Sequence, residues 1–136
     1  TESESWKNFL AVVVTESILD SIKIMLGNSV DDTNFDTELI IFINGALAII
    51  NKLGVGPTGY KISNNSNTWD EFLGDRTDLE EVKTNVYLRV RLAFDPPQNS
   101  FLVTSIKEQI VESTWYIELY HKEDTTVEGG ETTDGE

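Results

Sequence analysis

Cysteine is absent from this 136-residue chain, histidine occurs once, and basic residues are scarce. Each shortage removes a class of function. Without cysteine there are no disulfides, thiolate metal sites or cysteine nucleophiles, a usage that fits a cytoplasmic protein. No Ser/His/Asp or Cys/His set can be assembled without the lone His121. That residue falls near the C-terminal end of a predicted helix, where a cation is favoured on electrostatic grounds alone. Ten Lys and Arg against 24 Asp and Glu give a net charge of −14. This balance argues against phosphate-directed nucleic-acid binding, which needs clustered bases, and against an anionic membrane surface. Arg89 and Arg91 are too few to form a basic patch. The charge suits a basic protein partner, or a wall past which DNA slides without sticking. No apolar run approaches the roughly 18 residues of a membrane span. The opening residues carry Glu2 and Glu4 and a short apolar run, Phe9 to Val14, without the basic start and longer core of a secretory signal.

What is present reads as helix. The stretch Thr68 to Pro97 holds two Ser/Thr-x-x-Glu patterns, Thr68 with Glu71 and Thr77 with Glu80, each the signature of a capping box. Leu79, Val82, Val86, Val90 and Ala93 then recur at three- and four-residue steps, one face of an α-helix. Asp95-Pro96-Pro97 ends it, because neither proline donates an N–H and each restricts the residue before it. Upstream, Thr15 to Leu26 is predicted as a helix capped by Thr15 and closed by Gly27. A second helix, capped by Asn34 or Asp36 and running to about Leu53, is apolar nearly all round and so is expected to be buried on several sides, either at the centre of the domain or with one side against another subunit. Ser100 to His121 is predicted as the last helix, with Ile106, Ile110 and Ile117 facing one way. Val111, Trp115 and Leu119 form a second line on it, and Tyr116 and Tyr120 a third.

Between these helices, Val55 to Asn67 is rich in Gly, Pro and Asn and reads as a long central loop, with a possible short strand or β-hairpin at Tyr60 to Ile62. Trp6 to Val14 fits a strand by its three valines and a helix by its apolar spacing, and both readings stand. Glu123 to Glu136 carries six acids and no base, with three glycines and four threonines, and is expected to be a disordered acidic tail. The chain is thus expected to be all-α: a small bundle of four principal helices, divided into an N-terminal arm (1–14), a helical domain (15–122) and the tail (123–136).

Chemistry-bearing patterns are weak. Gly54 to Lys61 resembles a phosphate loop only superficially, since Tyr60 intervenes before Lys61, Ile62 follows it, and the segment follows a helix. Asp31 to Asp36 has oxygen ligands at alternate positions but lacks the sixth-position glycine and the distal carboxylate of a calcium loop. The adjacent acids Asp70/Glu71 and Glu80/Glu81 point to different sides of a helix. No catalytic set, metal or cofactor is expected. Trp115, Tyr116 and Tyr120 are of the types enriched at interface hot spots.

One resemblance is specific. Leu19-Asp20-Ser21-Ile22-Lys23 with Met25-Leu26-Gly27, Phe35-Asp36-Thr37, Asn51 to Pro57, Trp69 to Asp75, Leu79 to Lys83, Tyr87 to Leu92 and above all Phe94-Asp95-Pro96-Pro97 resemble the head–tail connector (adaptor) proteins of long-tailed bacteriophages, over about residues 15–120. The resemblance implies a non-enzymatic virion structural protein at the neck, assembled in the host cytoplasm. Such proteins form a homo-oligomeric ring, usually a dodecamer, beneath the portal. The ring extends the DNA channel, with no sequence-specific DNA binding, and offers a platform to the stopper or tail-completion protein. By position, Trp115, Tyr116, Leu119 and Tyr120 are expected near the portal protein. Tyr60, Lys61 and Ile62 are expected in a loop touching a neighbour or the stopper. The competing reading is an acidic DNA mimic that blocks a basic nucleic-acid-binding protein. Against it, removing the six tail acids leaves −8 (−14 less −6), spread over all helices rather than along one face.

Overall fold

The computed structural model describes the backbone of residues 16–134 and the side chains of residues 16–120. The expected N-terminal arm, and Thr15 with it, lie outside the described residues. Five helices follow in order: α1 (Ile18–Met25), α2 (Asp36–Lys52), the short α3 (Trp69–Leu73), α4 (Leu79–Phe94) and α5 (Ser100–Asp134). The fold is all-α, with four principal helices as expected. Among the described residues there is no strand, and only an isolated bridge pairs Ser17 with Thr68. Its flanking bonds, Ile18 N to Asn67 O (3.0 Å) and Trp69 N to Glu16 O (3.1 Å), tie the start of α1 to the start of α3.

Local rules account for most helix ends. Ser17 caps α1 by accepting from the Asp20 N–H. At the other end Gly27, at φ 85°, supplies the left-handed turn. Its N–H reaches Ile24 O and that of Asn28 reaches Lys23 O, a Schellman closure. Thr68 and Glu71 form the full capping box of α3. The box expected at Thr77 and Glu80 does not form: α4 begins after Asp78 with no side-chain cap. Thr77 instead directs its N–H to the Tyr120 hydroxyl (3.2 Å), so a partner from α5 displaces the local one. α2 likewise starts without a side-chain cap. Its predicted cap Asp36 is the first helical residue, and its carboxylate is committed to Lys23 Nζ at 2.9 Å.

The strand expected at Tyr60 to Ile62 is absent, for an identifiable reason. The Ile62 N–H donates to Asn44 Oδ1 (2.8 Å), and Ile62 O accepts from Asn44 Nδ2 (3.0 Å). One amide side chain of α2 thus takes the backbone groups a strand would offer a neighbour. Asn51 does the same for the first half of the loop. Its Nδ2 lies within bonding distance of the carbonyls of Val55, Gly56 and Pro57, and its Oδ1 accepts from Gly59 N.

The final helix also runs further than the sequence stripe implied. Its backbone stays helical to Asp134, well past His121. Gly129 and Gly130 fall in that extension, each costing about 1 kcal/mol relative to alanine in a helix interior.

The core joins Ile18, Leu19 and Ile22 of α1, Leu39, Ile43, Leu47 and Ile50 of α2, Trp69 and Phe72 of α3, and Val82, Val86 and Val90 of α4, with Ile117 of α5. Each such side chain contributes about 2 kcal/mol by leaving water. Trp69 is fully buried, and its indole N–H donates to Ser21 Oγ at 2.8 Å. α4 packs against both α2 and α5, burying the apolar stripe read in its sequence.

Candidate interaction surfaces

α2 and α5 each pack against α4, and each leaves an outer face uncovered. Both carry exposed apolar side chains. On α2, Ile41 is 63% exposed and Ile49 41%. They share a face with Glu38, Gly45, Ala48 and Lys52, opposite the buried row Leu39, Ile43, Ala46, Ile50. Within the subunit the helix is thus buried along one side only, so of the two placements expected for it the central one is corrected. On α5, Phe101 is 79% exposed, Val111 70% and Trp115 55%. They lie opposite Ile106, Ser113 and Ile117, which face α4.

The residues singled out in the sequence separate into two kinds. Trp115 and Tyr116 are exposed, and their rings pack edge-to-face with centroids 4.9 Å apart. Leu119 and Tyr120 are half-buried. Tyr120 is engaged within the subunit: its hydroxyl meets Thr77, and the Arg76 guanidinium lies 4.2 Å over its ring. Arg76 in turn forms a two-pronged ion pair with Asp78 and donates to Ile117 O, locking the α3–α4 junction onto α5. In the loop, Lys61 is exposed, Tyr60 is half-buried, and Ile62 belongs to the core.

Tyr60 donates its hydroxyl to Glu71 Oε1 (2.8 Å), the same carboxylate oxygen that accepts from the Thr68 N–H. Donation by Tyr60, helped by the Thr68 N–H and Asn67, holds the Glu71 carboxyl below its usual range. Burial, together with the adjacent Glu71, pushes the Tyr60 phenol up.

A polar cluster that sequence reasoning missed lies between α4 and α5. Arg89 donates from Nε to Asn85 Oδ1 (2.7 Å) and from Nη2 to Thr114 Oγ1 (3.0 Å). Asn85 is fully buried and also donates to Thr114 Oγ1, which passes its own proton to Ile110 O at 2.7 Å. Burial lowers the Arg89 pKa. The ion pairs among the described residues are Lys23–Asp36, Arg76–Asp78 and Lys83–Glu16, so none supplies Arg89 with a carboxylate. The guanidinium lines a shallow depression with Ile110, Val111, Thr114, Trp115 and Glu118. The signal available in the sequence was Asn85, a polar residue beside the Val82–Val86 stripe and one helical turn before Arg89.

Among the described residues no group of three or more Asp, Glu or His side chains is placed to hold a metal ion. Among the described residues no helix is long and apolar enough to cross a membrane, and every buried side-chain nitrogen and oxygen has a hydrogen-bond partner.

No curated protein and no solved structure matches the chain. A family model described as phage connector protein matches residues 18–124, from the first residue of α1 through α4 and into α5. The chain belongs to the phage connector protein family, and its role is that of a structural connector.

Proposed function

We propose that this protein is the subunit of a ring, most simply a dodecamer, seated beneath the portal in the virion neck. There it extends the DNA channel and offers a platform to the stopper or tail-completion protein. The observation that carries this reading is the pair of unlike exposed apolar faces, one on α2 and one on α5. A head-to-tail ring needs two different surfaces on each copy, whereas a two-fold dimer needs only one. Family membership supports the rest. In this arrangement Tyr116, with Trp115 at its edge and the end of α5 beyond it, meets the portal. The loop at Tyr60 and Lys61 faces a neighbour or the stopper. The net charge of −14 keeps DNA from adhering as it passes, because fixed negative charge repels phosphate.

The test is electron microscopy of the full chain mixed with its virus's portal protein. A coaxial ring stacked on the portal is expected. Tyr116→Ala should abolish the stack while leaving the fold intact by circular dichroism, since the side chain is exposed. Truncation before Ile117 is unsuitable as a test, because it removes core and the Arg76 clamp together. A chain that forms no stack and instead co-purifies with a basic DNA-binding protein would overturn the reading in favour of a DNA mimic.

A further inference from the structure

Arg89 is held at both Nε and Nη2, yet Nη1 finds no acceptor among the described residues. A guanidinium offers five N–H donors in a fixed fork that fits a carboxylate. Here the fork is pre-aligned by Asn85 and Thr114 and partly stripped of water. A cation in that condition gains more from an incoming carboxylate than a freely solvated lysine would. Just along α5, and strongly exposed, stands Val111. The depression therefore asks for an acid with an aliphatic side chain one helical turn away.

The chain carries that pair on α2. Glu38 and Ile41 project from the outer face of α2 three residues apart, the same separation as Thr114 and Val111 on α5, about 4.5 Å of helix rise. Laid antiparallel, Glu38 reaches the level of Arg89 and Ile41 that of Val111. Gly45 then falls opposite Lys107 and Glu108, where it presents no side chain to obstruct them. In a chain with 10 bases against 24 acids, a cation that meets a carboxylate of a second copy offsets part of the repulsion between them.

We propose that the Arg89–Val111 face of one copy is the docking site for the Glu38–Ile41 face of a second copy, giving a head-to-tail contact with α2 antiparallel to α5. This deepens the ring reading and rests on it for the geometry of closure.

The absence of native cysteine makes the test direct. Full-length Ile41→Cys and Val111→Cys chains are mixed and oxidised, with Asp70→Cys as an exposed control partner. The expected result is a mixed 41–111 disulfide in clear excess over either homodimer and over both control pairs. Glu38→Arg on the Ile41→Cys chain should remove that excess, as should Arg89→Glu on the Val111→Cys chain; the two together should restore it. Glu38 is exposed, so its variant keeps the test valid even if Arg89→Glu disturbs the cluster beneath it. No excess of mixed product up to the solubility limit, or homodimers alone, overturns the proposal. A ring on the portal that lacks the 41–111 link refutes this contact and leaves the proposed function standing. Linked chains that never stack on a portal do the reverse.

Discussion

Gly56 sits at φ 81°, and a methyl group placed on it would lie 2.5 Å from Phe72 Cε1 and 2.9 Å from the Phe72 carbonyl oxygen. Both the backbone conformation and the space exclude a side chain. Gly56→Ala should cost about 2 kcal/mol or more, read as a lower urea midpoint at unchanged slope. Gly59 provides the contrast, with φ 76° and nothing near its Cβ position. Gly59→Ala should cost about 1 kcal/mol, from conformation alone. A neighbouring pair sets a pH dependence. Glu71 is held below its ordinary value of 4.5 in the folded state, first by the Tyr60 hydroxyl. Its contribution is therefore present above that value and lost as pH falls through the folded pKa. Tyr60 is raised above 10.0, so its contribution is present below that pH and lost as pH rises further. Tyr60→Phe should move the Glu71 titration upward toward the ordinary carboxyl value, followed by the side-chain carboxyl resonance in NMR. An unmoved midpoint would show that Thr68 and Asn67 suffice.

At the scale of elements, two asparagines of α2 replace what strands would otherwise do. Asn44→Ala leaves the Ile62 N–H and C=O without partners beside the core, at a cost of about 1–3 kcal/mol. The Ile62 amide should then exchange with solvent much faster, while exchange in the α4 core slows or quickens only with global stability. This arrangement also explains what was legible in the sequence. The capping box of Thr68 and Glu71, the Gly27 closure and the Asp95-Pro96-Pro97 stop depend on residues within a few positions, and each reads directly. The Thr77 box failed because Tyr120, 43 residues on, competes for the Thr77 N–H. Ile62 was misread because Asn44, 18 residues before it, satisfies its backbone. The Arg89 cluster depends on how α4 crosses α5, which no periodicity reports. Of the expected interface residues, Trp115, Tyr116 and Lys61 proved exposed. Ile62 and Tyr120 are apolar or aromatic for reasons internal to the subunit.

For the whole molecule, exposed apolar side chains on α2 and α5 sit on a strongly acidic body. Association then sets a few close contacts against the mutual repulsion of chains that each carry −14. Repulsion acts through solvent over many ångströms and is screened by salt, whereas a contact that excludes water is screened far less. Self-association should therefore strengthen as ionic strength rises from low to physiological, measured by sedimentation equilibrium. Weakening over that range would mean that exposed ion pairs, not buried apolar contact, dominate the interface.

The two described tryptophans also have an optical consequence. Trp69 is sealed in the core with its indole fixed on Ser21, while Trp115 stands in solvent on the outer face of α5. Once Trp6 is replaced by phenylalanine, the chain carries one blue-emitting and one red-emitting fluorophore. The first dims only when the fold is lost. The second shifts blue whenever that face is covered, so assembly and unfolding can be followed as separate colours in one unlabelled sample.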